Sequence, residues 1–90
     1  MADNEENIKE KILEALKNVI DPEVGLNVVE MGLIKDISFS KGKATIKMTL
    51  TVPSFLCPLA RYLVMQVRKA TLSLPEVKEA EVILIEPYQL

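Results

Sequence analysis

The sequence predicts an α+β fold: a two-layer α/β sandwich in the order α-β-β-α-β, with two helices on one face of a small mixed sheet. Three observations carry this. Apolar residues recur at helical spacing in two stretches, from Ile8 to Ile20 and from Leu59 to Leu74. Between them, Ala44, Ile46, Met48, Leu50 and Val52 alternate with Thr45, Lys47, Thr49 and Thr51, the period of a strand with one buried face. That strand, the second helix and the last strand form a crossover unit, expected to be right-handed, and elements of this kind bury their apolar faces as two packed layers.

Each element has its own start and stop signals. Asp3-Asn4-Glu5-Glu6 supplies cap candidates and acids for a first turn. Ile8, Ile12, Leu16, Val19 and Ile20 then line one side of an amphipathic helix, with Lys9, Glu10, Glu14 and Lys17 mostly opposite. Pro22 disfavours helical geometry in the residue before it, so the helix is predicted to stop by Asp21. Asp21-Pro22-Glu23-Val24-Gly25-Leu26-Asn27 is a turn-rich loop. Val28–Gly32 reads as a short extended piece and a turn at Gly32. Leu33–Phe39 is a strand with Leu33, Ile37 and Phe39 on one face, and Ser40-Lys41-Gly42-Lys43 turns it into the alternating strand as a β-hairpin. The second helix ends before Pro75, with basic residues in its C-terminal half that suit the helix dipole. Ala80–Glu86 is the last strand, apolar on both faces in its middle, which predicts helices on one side and company on the other.

With 90 residues the chain makes one domain, 1–90, burying roughly two-thirds of its unfolded surface. A mean hydropathy of +0.19 is high for so small a domain, and fits either a dense aliphatic core or apolar surface used in association. The net charge of −2 argues against a nucleic-acid partner held by a basic face. No apolar run approaches the roughly 20 residues of a membrane span, so no membrane is expected. The acidic start is unlike a signal peptide, and the single cysteine cannot form an internal disulfide, which fits a reducing cytoplasm.

The stretch Thr49-Leu50-Thr51-Val52-Pro53-Ser54-Phe55-Leu56-Cys57-Pro58 is where chemistry is expected. Pro58 suits a first helical position, which puts Cys57 at a helix N-terminus. Unpaired N–H groups and the positive end of the dipole favour the thiolate there, and Arg61 lies one turn on. The bland alternative is a buried cysteine acting as a small apolar residue. With no His in the chain, a Cys–His pair is excluded, and with one Cys so is an internal dithiol cycle. An iron–sulfur cluster takes about four cysteine-type ligands, so one chain cannot supply them. Thr49 and Thr51 share a strand face and their hydroxyls can reach one pocket, although threonine is also simply a good strand former. Asp21 and Glu23 flank Pro22, and by themselves read as a helix stop.

Together these features form a pattern. The segment Asn18-Val19-Ile20-Asp21-Pro22-Glu23-Val24-Gly25-Leu26-Asn27-Val28-Val29-Glu30-Met31-Gly32-Leu33-Ile34 resembles the opening of the iron–sulfur cluster assembly domain family that includes SufT-type and PaaD-like proteins. Thr49-Leu50-Thr51, Cys57-Pro58-Leu59 and Leu74-Pro75-Glu76-Val77 fit it too, so the resemblance spans nearly the whole chain. It implies a small α/β domain in which the cysteine before the second helix is the functional thiol, here Cys57. It also implies that Asp21, Glu23, Thr49, Thr51 and Pro58 line the site. The implied role is that of a non-enzymatic accessory factor in iron–sulfur cluster assembly or delivery to clients. Its partners are then other assembly proteins and client apoproteins. Any transient cluster on Cys57 is completed by a second subunit, as in a homodimer, or by a partner, and is not held by the monomer alone. The alternative is a PaaD-like interaction module that helps assemble a metalloenzyme complex. Two departures stand out. Typical members place a proline two residues before the cysteine, whereas Pro53-Ser54-Phe55-Leu56-Cys57 is two residues longer and makes Phe55 and Leu56 an apolar tip for partner contact. Many members also follow the last strand with an Asp-Pro-Pro-Trp type segment, where this sequence reads Glu86-Pro87-Tyr88.

Overall fold

The computed structural model describes residues 5–50 and 59–85, which form α1 (Glu5–Leu16), β1 (Ile34–Ser40), β2 (Lys43–Thr49), α2 (Ala60–Leu72) and β3 (Glu79–Ile85). The order is the α-β-β-α-β that the periodicity predicts. The sheet runs β1-β2-β3, with β2 in the middle. β1 is antiparallel to β2, from Ile34 opposite Met48 to Ser40 opposite Lys43. β3 is parallel to β2 in unbroken register, from Lys43 opposite Glu79 to Thr49 opposite Ile85. The β1–β2 turn has positive φ at both Lys41 (52°) and Gly42 (83°), the two-residue loop whose twist matches that of the strands it joins.

The alternation along β2 is the fold's main determinant. Ala44, Ile46, Met48 and Leu50 are buried, while Thr45, Lys47 and Thr49 face the other way. α1 covers the buried face with Ile8, Ile12 and Leu16, and α2 with Leu63 and Val67, all in one core. α1 lies against β1 and α2, and α2 lies against β3. Thr71 is fully buried on α2, and its hydroxyl donates to the Val67 carbonyl at 2.8 Å, so that hydroxyl is not orphaned. Lys11 of α1 reaches Glu76 at 2.6 Å and ties the first helix to the α2–β3 connection. That bond, above all, holds the Glu76 carboxyl below its ordinary value.

Several boundaries differ from those predicted. Helix α1 stops at Leu16, not near Ile20. Its last carbonyls close a tighter turn, with Asn18 N–H donating to Ala15 and Val19 N–H to Leu16. Val19 is buried, but Ile20 is 45% exposed, because both belong to a hairpin instead of the helix face. Val28–Gly32 is not an extended piece but a capped turn. The register shifts between Ile34 and Asp36, which sets Ile34 opposite Met48 across the ladder. Helix α2 opens at Ala60 with Leu59 as its cap, later than a Pro58 start would place it. On the face of β3 away from the helices, Ile83 is 37% exposed, so that face is partly covered.

Candidate functional site

Of the residues singled out in the sequence, Asp21, Glu23 and Thr49 fall within the described structure. Thr51, Phe55, Leu56, Cys57 and Pro58 lie outside the described residues. What can be built is the frame on either side of that stretch: the end of β2, the start of α2 and the loop that carries Asp21.

The loop is a hairpin. Val28 N–H donates to the Val19 carbonyl at 3.0 Å and Asp21 N–H to the Leu26 carbonyl at 2.9 Å. At its tip the Asp21 carbonyl accepts from Val24 N–H (3.2 Å) and Gly25 N–H (2.7 Å). Asp at the first position and Pro22 at the second suit this tight turn, because Pro presets the backbone angle the second position needs. The Asp21 side chain is only 8% exposed, and its Oδ1 accepts from Glu23 N–H at 2.9 Å. The structure therefore brings Asp21 and Glu23 together through a backbone N–H, with the Glu23 side chain exposed. One carboxylate oxygen of Asp21 is committed to shaping its own loop.

The next turn is locked at both ends. Asn27 Oδ1 accepts from Glu30 N–H at 2.8 Å, and Glu30 Oε1 accepts from Asn27 N–H at 3.3 Å, a reciprocal capping box. At the other end Gly32 N–H donates to Val29 and Leu33 N–H to Val28, the paired bonds of a Schellman ending. That ending needs a left-handed residue, and Gly32 supplies it at φ 73°. The Asn-x-x-Glu spacing is present in the sequence and is the signal that identifies this turn.

Three backbone bonds carry this loop to the end of the central strand. Val28 N–H donates to Val19, Leu33 N–H to Val28, and Thr49 N–H to Leu33 at 2.8 Å. Thr49 is half-buried, and its hydroxyl donates to the Ile85 carbonyl of β3 at 2.8 Å. Its proton is thereby engaged, leaving an oxygen able to accept. No hydrogen bond among the described residues joins Asp21 to Thr49. The first turn of α2 has no side-chain cap and no acid, so its free N–H groups and dipole are not neutralised from within the described residues. Among the described residues, no three of His, Cys, Asp and Glu gather into a metal-binding group. No helix among them is long and apolar enough to cross a membrane. At the opposite end of the sheet, a shallow cavity of about 420 Å³ is lined by charged residues that include Lys43, Arg68, Lys78 and Glu81.

Comparison with known proteins adds four findings. A family model described as iron–sulfur cluster assembly protein matches residues 9–82. The chain is 43% identical over 81 residues to the Fe–S protein maturation auxiliary factor YitW of Bacillus subtilis, across 90% of this chain and 78% of that protein. It is 35% identical over 71 residues to an iron–sulfur cluster carrier protein of Synechocystis, across 79% of this chain but 20% of that much longer one. Among solved structures it is similar to the crystal structure of a domain of unknown function, DUF59, from Bacillus anthracis. The TM-score is 0.81 at 37% identity, covering 90% of this chain and 76% of that one.

Proposed function

The chain belongs to the iron–sulfur cluster assembly protein family, and we propose that it is an accessory factor in assembling iron–sulfur clusters or delivering them to client proteins, not an enzyme. The observation that carries this reading is the family match over residues 9–82, which takes in the Asp21 loop, Thr49 and Cys57. The start of α2, which carries no acid and no side-chain cap from the described residues, supports it physically. Cys57 stands two residues before the Leu59 cap, and a helix terminus of this kind favours thiolate over thiol.

In this reading Cys57 is the transfer thiol and the cluster is cargo. Thr49 and Thr51 line the site, with Asp21 and Glu23 on the neighbouring hairpin and Pro58 fixing the approach to α2. One thiolate leaves about three cluster positions to be filled; a second copy of the chain supplies one more thiolate, and a partner or small thiols fill the rest. Such a shared cluster transfers readily, because each subunit gives up few bonds when the client's cysteines arrive.

The test is anaerobic purification followed by supply of iron and sulfide, with the absorption spectrum and native mass recorded for wild type and Cys57→Ala. The expected result is cluster absorption at a dimer mass that vanishes in Cys57→Ala. A colourless, folded protein, or absorption that survives the substitution, contradicts the thiol's role as a cluster ligand.

A second reading, a non-catalytic module that helps assemble a metalloenzyme complex, is favoured by the exposed apolar side chains of Ile20, Val24 and Leu26 on the hairpin. In that case replacing Val24 and Leu26 together with Phe55 and Leu56 by Ser abolishes partner capture, while Cys57→Ala leaves it intact.

A further inference from the structure

We infer that the solvent face of α2 is a docking surface for an acidic protein segment that also presents apolar side chains. Arg61, Met65 and Lys69 recur every four residues along α2, and Tyr62 lies beside them, so the four form one stripe. The opposite side of the helix carries the buried Ala60, Leu63, Val67 and Thr71. Met65 is 60% exposed and Tyr62 45%, which makes them two of the large apolar side chains the protein leaves in water.

The charge on this face is what selects the occupant. Three of the chain's 11 cations sit on α2, and none of its 13 acids does. The ion pairs among the described residues are Lys9–Glu6, Lys11–Glu76, Lys17–Glu14 and Lys43–Glu81, so the α2 cations take part in none of them. Arg68 is a partial exception. It donates to the Ala80 carbonyl at 3.3 Å and shares the shallow cavity with Glu79 and Glu81. The inference therefore rests on Arg61, Tyr62, Met65 and Lys69. A cationic and apolar stripe on a net acidic protein complements a surface of the opposite sign with its own apolar residues. Nucleic acid fits less well, because the molecule's overall negative charge repels a polyanion whose binding depends on many cations. The stripe lies on the helix that follows Cys57 in sequence, but docking here does not depend on any role for that thiol.

The test titrates the isotope-labelled full chain with a synthetic peptide of about four helical turns, carrying Leu and Glu at helical spacing. Backbone chemical shifts are followed by NMR. The expected result is shifts centred on Arg61, Tyr62, Met65 and Lys69, with affinity weakened at least about tenfold in the Arg61→Glu/Lys69→Glu variant and weakened by salt. Met65→Ser, with a helix content matching wild type, is expected to lose several-fold. Three results overturn the inference: equal binding of a peptide with Lys in place of Glu, shifts located elsewhere, or tighter binding of the same face to an oligonucleotide or to phosphatidylglycerol vesicles.

Discussion

The two ends of β2 are held by different physics. At the Thr49 end, polar groups bond to backbone. Asp21 accepts from Glu23 N–H, Asn27 and Glu30 cap each other's backbone, and the Thr49 hydroxyl serves the Ile85 carbonyl. At the Lys43 end, the Gly42 carbonyl accepts from Lys78 N–H and Glu79 N–H at 2.7 and 3.1 Å, and the ion pair lies in water. Lys43 pairs with Glu81 at 3.3 Å, and both side chains are 52% exposed. A backbone group that loses its partner at the part-buried Asp21 or Thr49 bonds bears much of its desolvation cost, whereas an exposed ion pair is screened and contributes little. Side chains thus fix backbone at the end of the sheet that leads into the cysteine stretch, whereas the Lys43–Glu81 pair at the opposite end is replaceable, its turn being held by backbone bonds.

Substitutions at the two ends sharpen that contrast. The largest effect is expected from Leu33→Ala, since Leu33 is 3% exposed at the junction of the capped turn and β1. Urea unfolding should show a loss of about 2–5 kcal/mol. Gly32→Ala comes next. A methyl group added there meets nothing within 4 Å, so the cost is that of left-handed backbone alone, about 1–2 kcal/mol. Thr49→Val keeps shape and strand preference but leaves the Ile85 carbonyl without its hydroxyl, and should cost about 1 kcal/mol. At the other end, Lys43→Met should cost less than about 0.5 kcal/mol and nothing measurable in high salt. A loss there as large as that at Leu33 breaks the contrast.

The smallest effect is visible only through pH. Glu76 has its carboxyl held below the ordinary value by Lys11. A depressed folded-state value means that this stabilisation is present above the unfolded carboxylate value and is lost as pH falls through the folded one. Denaturation followed against pH should therefore show wild type and Lys11→Met converging on the acid side and separating towards neutrality. A difference that persists unchanged into acid assigns the effect of Lys11 to packing.

How much of this was legible in the sequence depends on how local each determinant is. The alternation of β2 and the Lys41-Gly42 turn are local, and both are found where the sequence puts them. The end of α1 is not local. Val19 and Ile20 fit a helical period equally well, and only their pairing with the Leu26–Val28 side of the hairpin removes them from the helix. The Val28-Val29 pair suggests a strand, yet the Asn27/Glu30 cap and Gly32 outweigh that preference. For the candidate site, the Asp21-Pro22 turn was readable from residue type. The acceptor of the Thr49 hydroxyl was not, because it depends on the parallel register that sets Ile85 beside Thr49 across 36 residues of chain.

The central claim, that Cys57 acts in iron–sulfur protein maturation, is tested most directly in cells lacking the wild-type protein. Cys57→Ala is supplied in place of wild type, and the activity of iron–sulfur client enzymes is measured alongside the amount of the variant. Client activity should fall to the level of cells without the protein while the variant accumulates normally. Full client activity with Cys57→Ala would contradict the claim.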